Sequence, residues 1–190
     1  AAIRAALWSD RGNLSSESGM EIGSDIALVD HGDLPLTDSD CAADDAMIAN
    51  AVAGILARGG IPLALGGDHA VTYPLVAAVA AHHGPLNILH FDAHPDLYDD
   101  FEGNPRSHAS PFARILEGGH AKRLVQLGIR TLNRHCRAQA DRFGVEIIPM
   151  ADFSPAQVPV LDGPLYISIA LDGIDPSEAP GVAHPEPGGL

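Results

Sequence analysis

Short apolar runs recur along the chain, and each of them ends in glycine, aspartate or histidine. Continuous apolar runs of this length are typical of strands that are buried on both faces of a parallel sheet. The stretches between the runs carry apolar residues at helical spacing, and several of them end at glycine. The pattern predicts strands at 25–33, 61–69, 86–94, 123–130, 145–150 and 165–172, and helices at 40–58, from Thr72 to Gly84, from Ser110 to Gly118 and at 133–143.

The alternation of strands and helices predicts an α/β protein, a three-layer α/β/α sandwich with a mostly parallel sheet and right-handed crossovers. No repeat, low-complexity tract or linker interrupts the alternation, so we expect residues 1–190 to form a single domain. The segment 176–190 is rich in proline and glycine and is predicted to be a loop. Because α/β domains rarely end in such a loop, we expect this domain to be partial.

Composition and charge narrow the possible functions. With 46% hydrophobic and 19% charged residues, the chain has the composition of a folded globular protein. Its net charge of −14 argues against nucleic acid or an anionic membrane as a partner, and no apolar run approaches the roughly 20 residues of a membrane span. The start of the chain shows no signal-peptide pattern, and the two cysteines form no disulfide pattern, so we expect a cytoplasmic location.

Potential metal ligands follow three of the predicted strands. His69 follows the second strand, Asp92, His94 and Asp96 follow the third, and Asp172 follows the sixth. Because alternate residues of an extended segment share one face, Asp92, His94 and Asp96 can converge on one point. Two carboxylates and one imidazole suit a divalent ion such as Mn²⁺, Fe²⁺, Co²⁺ or Zn²⁺. The alternative interpretation is a polar loop at a strand end in an acidic protein.

Five motifs together resemble one known family, the ureohydrolases, which comprise the arginases, the agmatinases and related hydrolases of guanidino compounds. The motifs are GGDHAVTYP (66–74), FDAHPDLYD (91–99), FEGNPRSHASPFARILEGG (101–119), ISIALDGIDP (167–176) and APGVAHPEPGGL (179–190). The third motif is most similar to the plant-type arginase/agmatinase branch. The resemblance begins after the first strand of the family pattern and stops before its final strands, which implies truncation at both ends.

The resemblance implies an arginase-like fold, a centre with two Mn²⁺ ions and hydrolysis of arginine or agmatine to urea and an amine. By motif matching, His69, Asp92 and Asp96 correspond to ligands of one ion. Asp92, His94 and Asp172 correspond to ligands of the other, with Asp92 as the bridge. Two cations close together lower the pKa of a shared water and stabilise developing charge. The family also forms symmetric trimers and hexamers, so the resemblance implies a homo-oligomer.

The motif at 101–119 supplies three further candidates. His108 matches the family's histidine for proton transfer or substrate contact, and we expect it to act in catalysis together with Asp96. Asn104 and Ser107 match positions that contact the substrate. Without the family motif, His108 would be interpreted as a histidine in a surface loop.

The sequence departs from the family pattern at one metal ligand. The family has Ser-x-Asp-x-Asp, whereas this chain has Ser168, Ala170 and Asp172. Losing a carboxylate that bridges two cations should weaken at least one metal site and severely reduce turnover. The family's acidic residue that binds the guanidinium corresponds to no position up to Leu190.

Two alternatives therefore stay open. One is a non-catalytic relative that binds metal or ligand or serves as an oligomer subunit. The other is an amidohydrolase with a single ion at Asp92, His94 and Asp172, an arrangement similar to the histone-deacetylase-like fold. Two further histidines are not predicted to bind metal. His90 is predicted to be a hydrogen-bonded core residue, and His184 is expected either to support the site or to hold the loop that contains it.

Overall fold

The computed structural model describes residues 2–10, 12–37 and 41–190. The chain divides into two compact units, residues 1–35 and residues 36–190. The first unit contains a short helix, α1 (Ala2–Leu7), followed by loops with isolated β-bridges. The strand predicted at 25–33 is wrong, because beyond a single bridge residue this segment is irregular backbone and its apolar side chains are exposed.

The described residues of the second unit form four α-helices and a sheet of four parallel strands in the order β3-β2-β1-β4. Its elements are α2 (Cys41–Leu56), α3 (Thr72–His83), β1 (Leu86–Phe91), α4 (Pro111–Glu117), β2 (Ala121–Ile129), α5 (Arg134–Phe143), β3 (Glu146–Pro149) and β4 (Leu165–Ile169). The α/β class, the parallel sheet and the four predicted helices of this unit are confirmed. Among the described residues, no helix combines the length and apolar character that crossing a bilayer requires.

The two faces of the sheet are covered differently. Helices α3, α4 and α5 pack on one face, where Val76, Phe112 and Cys136 are fully buried. The opposite face is covered by loops and short 3-10 turns, from which Phe153 and Leu161 pack on the strands. Helix α2 packs against α3 and forms a separate small apolar cluster. The sheet is therefore supported most firmly from the α4 side.

The strand predicted at 61–69 is also wrong. Residues 61–66 are irregular, and His69–Val71 form a 3-10 turn. Ile61 and Leu63 are 93% and 73% exposed, because no neighbouring strand among the described residues pairs with this segment. Backbone amide and carbonyl groups need a partner strand to form a ladder, whatever the β-propensity of their side chains.

Candidate metal centre

Asp92 lies at the centre of the candidate site, directly after β1. It is buried, and its carboxylate accepts hydrogen bonds on both oxygens: from the His94 backbone N–H at 2.7 Å and from His90 Nε2 at 2.8 Å. Strand β1 ends at Phe91, the backbone bends at residues 93 and 94, and Asp96 has a positive φ of 48°. The expectation of a shared face on an extended segment is therefore wrong, because a bent backbone brings these side chains to the site.

His90 holds the Asp92 carboxylate in place. The ring is fully buried between β1 and α4, and Gln126 Nε2 donates to its Nδ1 at 3.1 Å. Since Nδ1 accepts this hydrogen bond, Nε2 carries the hydrogen that is donated to Asp92. The same Gln126 amide also donates to the Pro95 carbonyl at 2.6 Å. His90 is thus the hydrogen-bonded core histidine that the sequence predicts.

A first cluster joins His69 to the carboxylates beside β1. His69 Nδ1 lies 2.6 Å from Asp96 Oδ2 and 3.6 Å from Asp92 Oδ2, and its Nε2 lies 3.0 Å from Ser168 Oγ. The 3-10 turn that carries His69 is capped by Asp68, whose side chain accepts from the Ala70 backbone N–H at 2.7 Å. Together with His90, the residues His69, Asp92 and Asp96 form a group that could hold a metal ion.

A second cluster, Asp92, His94 and Asp172, could also hold a metal ion. His94 Nδ1 lies 3.4 Å from Asp92 Oδ1 and 3.2 Å from Asp172 Oδ2. Asp172 belongs to a 3-10 turn, Leu171–Gly173, rather than to the predicted strand, which ends at Ile169. Asp172 Oδ1 is buried without a hydrogen-bond partner among the described residues, as a carboxylate oxygen that faces a cation would be.

Gly173 allows the turn to reach Asp92. A Cβ at this position would lie 3.2 Å from both the backbone N and the Cα of Asp92. Only glycine leaves room for this approach without displacing one backbone from the other. The turn that presents Asp172 is therefore packed directly against the residue that both clusters share.

The charges of the two clusters shift the ionisation of their members. Burial alone would raise the pKa of Asp92, but the neighbouring His90 ring and the hydrogen bonds from His90 and His94 outweigh burial and hold this pKa far below its usual range. Hydrogen bonds to Asp172 and Asp92 raise the pKa of His94 to about 10. Burial would lower the pKa of His69, but the hydrogen bond to Asp96 and the negative charges of Asp96, Asp92 and Asp172 together outweigh burial and raise this pKa. The carboxylates thus favour positive charge between them.

His108, Asn104 and Ser107 lie on the same side of the molecule and line a cavity of about 430 Å³. The His108 ring is stacked on the His184 ring at 5.7 Å, and His184 in turn lies 6.2 Å from the His94 ring. The structure therefore brings His108 close to the second cluster through His184. The Asn104 and Ser107 side chains accept hydrogen bonds from nearby backbone N–H groups, so both are locally held.

The cavity beside His108 has an acidic lining. Its one lining cation among the described residues, Arg106, is paired with Asp45 at 2.6 Å and stacked over the Tyr73 ring at 4.2 Å. The acidic residues that line the cavity are Asp44, Asp45, Asp68 and Glu102. A cavity of this sign attracts cationic rather than anionic ligands.

Two contacts of the site were not expected from the sequence. Glu186 Oε1 lies 3.6 Å from His94 Nε2, and Ser168 contacts His69. Glu186 belongs to the same AHPEPGG segment as His184, and this proximity in sequence was the available signal. Ala170 lies between Ser168 and Asp172 in the chain and presents a methyl group, which supplies no metal donor.

A parallel α/β sheet with histidine–carboxylate clusters beside the carboxyl ends of its strands has the form of a divalent-metal site in an α/β protein. The model of the arginase family matches residues 1–190. The chain belongs to the arginase family, and the resemblance stated from its motifs is confirmed.

Individual relatives agree with this assignment. The chain is 46% identical to arginase 1, mitochondrial, of Arabidopsis thaliana, over 99% of this chain and 59% of that protein. It is 39% identical to the mitochondrial agmatinase of Gallus gallus, over 72% of this chain and 44% of that protein. The structure of arginase from Medicago truncatula superposes with a TM-score of 0.90 at 44% identity, over 99% of this chain and 64% of that one. The chain thus spans about 60% of the length of these arginases.

The expectation of a cytoplasmic location is wrong. Plant arginases from Arabidopsis thaliana, Medicago truncatula and Oryza sativa, to which the chain is similar, are described as mitochondrial or chloroplastic. The missing secretory-signal pattern and the missing disulfide pattern argue only against secretion, and neither observation distinguishes a cytosolic protein from an organellar one.

Proposed function

We propose that this chain supplies the metal-binding part of a ureohydrolase active site that hydrolyses a linear guanidino compound, arginine or agmatine, to urea and an amine. The observation that carries the proposal is the pair of histidine–carboxylate clusters that share Asp92. Carboxylates and imidazoles together suit a divalent ion such as Mn²⁺, Fe²⁺, Co²⁺ or Zn²⁺, and the resemblance to the ureohydrolases favours Mn²⁺. The buried, unpartnered Oδ1 of Asp172 fits a cation at this place as well.

In this proposal, His69, Asp92 and Asp96 hold one Mn²⁺ ion, and Asp92, His94 and Asp172 hold the other. When bound, such a pair of cations lowers the pKa of a shared water and stabilises the negative charge that develops on the substrate. Asp92 suits the bridging role because His90 and the His94 backbone fix its two oxygens separately.

The residues around the cavity act on the substrate. Its acidic lining favours a guanidinium or amine cation, and Asn104 and Ser107 contact the end of the substrate away from the metal. His108 transfers a proton to the leaving amine, and His184 supports its ring by stacking. As the resemblance implies, we also propose that copies of the chain assemble into a symmetric trimer or hexamer.

Ala170 should leave this chain severely impaired. The loss of a residue that merely orients a ligand typically costs 10–100-fold in metal affinity or activity, and the loss of a bridging ligand should cost more. The same observation favours a second candidate function, a non-catalytic relative that binds metal or a guanidino ligand without turnover.

Restoring the carboxylate with Ala170→Asp tests both candidates. The assay measures urea release from arginine and from agmatine with Mn²⁺, together with the number of Mn²⁺ ions bound per chain. Ala57→Asp is the control, because it adds the same charge at an exposed position. We expect higher Mn²⁺ occupancy and measurable urea only in Ala170→Asp. Added occupancy without urea supports the non-catalytic relative, and no Mn²⁺ binding in either protein contradicts the metal centre.

A further inference from the structure

The two ring nitrogens of His94 face opposite surroundings. Nδ1 points to the second cluster, at 3.2 Å from Asp172 and 3.4 Å from Asp92. Nε2 points away from the cluster and lies 3.6 Å from a carboxylate oxygen of Glu186. Only Nδ1 can therefore bind a cation together with Asp92 and Asp172, and Nε2 faces the Glu186 carboxylate.

One guanidinium holds both acidic residues that flank His94. Arg130 donates to the Glu186 carbonyl through Nε at 3.1 Å and Nη2 at 2.6 Å, and Nη2 also donates to the Asp172 carbonyl at 2.6 Å. Nη1 donates to the carbonyls of Gly128 and Gly173, at 3.2 and 3.3 Å. The end of β2, the turn of Asp172 and the segment of Glu186 are thus joined at one side chain.

Arg130 leaves the Glu186 carboxylate able to interact with His94. All of its hydrogen bonds go to backbone carbonyls, so Arg130 forms no hydrogen bond with the Glu186 carboxylate. The side chain is partly exposed, at 38%, and faces the His94 ring. Arg130 therefore fixes the backbone of Glu186, and the negative charge of the Glu186 side chain faces His94.

We infer that Glu186 is a positioning residue that orients His94 for metal binding, and that Arg130 sets its distance from the ring. This inference rests on the proposed function. A histidine ligand that donates its other N–H to a carboxylate has a fixed tautomer, a fixed ring orientation and greater basicity at the metal-binding nitrogen. With a cation bound between Asp92 and Asp172, the nearby Glu186 carboxylate favours the hydrogen on Nε2, so that the Nδ1 lone pair faces the cation.

Metal titration of the whole chain tests the inference, with Co²⁺ followed by its visible absorption and by calorimetry. We expect Glu186→Ala to weaken Co²⁺ binding at the site that contains His94 by 10–100-fold and Glu186→Gln, which keeps the size and an acceptor, to weaken it less. Arg130→Lys should weaken it as well, because an ammonium cannot donate to the same carbonyls at once. Glu178→Gln is the matched control, since it removes an exposed carboxylate from the same segment.

A second measurement separates orientation from a merely structural effect. In the chain loaded with Zn²⁺, nitrogen-15 NMR of histidine, with His94 assigned through His94→Gln, reports whether Nε2 carries a hydrogen and how fast it exchanges with water. We expect slow exchange in the unaltered chain and in Glu178→Gln, and faster exchange in Glu186→Ala and Glu186→Gln. A substitution that only disturbed folding would not speed exchange at the His94 Nε2 in particular.

The outcomes distinguish this inference from the proposed function. If Glu186→Ala and Glu186→Gln bind Co²⁺ as tightly as the unaltered chain and the His94 signal is unchanged, the positioning role is wrong while the metal centre stands. If neither the unaltered chain nor Ala170→Asp binds Co²⁺ or Zn²⁺, both the inference and the proposed function are wrong. The positioning role is supported if Co²⁺ binding is weakest in Glu186→Ala, intermediate in Glu186→Gln and tightest in the unaltered chain.

Discussion

The approach of Asp172 to Asp92, the carboxylate that both clusters share, depends on a single glycine. Asp92 contacts members of both groups, but Asp172 reaches it only because Gly173 packs against the Asp92 backbone. The 3.2 Å that a Cβ would leave to the Asp92 N and Cα is tighter than an ordinary van der Waals contact. The geometry of the centre therefore depends on a residue that has no functional group.

Replacing Gly173 by alanine should move the turn of Asp172 away from Asp92. We expect about 1–3 kcal/mol of destabilisation from overpacking, and weaker divalent-metal binding, measured by urea unfolding and by Co²⁺ titration. The control is Gly181→Ala, because apart from its chain neighbours no described residue has an atom within 4 Å of a Cβ built there. Equal metal affinity in the two variants would contradict the role assigned to the close approach.

The two cysteines should differ sharply in reactivity. Cys136 is buried in the main core, and this burial raises the pKa of its thiol to about 11, whereas Cys41 is exposed. Near pH 8 we expect a disulfide reagent to modify Cys41 quickly and Cys136 only after unfolding. The raised pKa stabilises the fold fully below the ordinary thiol value of about 8.5, and this contribution is lost as the pH rises towards 11. Cys41→Ser is the control, and rapid reaction of that variant in the native state would show the prediction to be wrong.

The sequence predicted which residues lie together at the site, but it did not predict the backbone conformation that brings them together. Residue type and position at strand ends were enough to propose Asp92, His94 and Asp172 as neighbours. The backbone bend at residues 93 and 94, the positive φ of Asp96 and the 3.6 Å contact of Glu186 were not predicted. These features depend on backbone turns and on long-range packing, for which side-chain alternation along an extended segment gives no information.

Among the secondary-structure elements, α4 links the core to the site. Phe112 on α4 is fully buried, and its ring lies 4.2 Å from the His90 ring and 5.5 Å from the His69 ring. Packing from this helix therefore fixes both histidines against the end of β1. The pocket for the aromatic ring is formed by neighbours that cannot collapse fully if the ring is removed.

Phe112→Ala should destabilise the protein by about 3–5 kcal/mol, because it leaves a cavity beside two site histidines. Urea denaturation followed by circular dichroism measures this change. The control Val160→Ala removes apolar atoms from a side chain that is 91% exposed, and it should change stability by less than about 0.5 kcal/mol. Comparable effects of the two substitutions would mean that α4 does not support the site.

All four helices of the second unit were predicted from the sequence, whereas two of the six predicted strands are absent from the described residues. The apolar spacing and the flanking glycines of α2, α3, α4 and α5 are local features, and a helix satisfies its own backbone. The segments 25–33 and 61–69 have strand-like composition, but a strand also requires a paired neighbour. The sequence pattern contains no information about whether that neighbour is present at the sheet edge.

Considering the whole molecule, β4 is the least protected part of the sheet. It pairs with β1 on one side, and its other edge pairs with none of the described residues. Leu165, Ile167 and Ile169 alternate along it and are 43%, 53% and 67% exposed. An apolar strand with an unpaired edge is a template for association with another chain.

The double substitution Ile167→Lys and Ile169→Lys should therefore reduce self-association of this chain, because charged side chains on an edge strand oppose edge-to-edge pairing. Sedimentation velocity at micromolar concentrations measures the distribution of species. Val160→Lys is the control, since it adds a charge at an exposed apolar residue outside β4. We expect large, heterogeneous species in the unaltered chain and in the control, and a smaller, uniform species in the double variant. A discrete trimer or hexamer that persists in the double variant would instead locate the contact between copies away from the β4 edge, and that result would agree with the assembly proposed from the family resemblance.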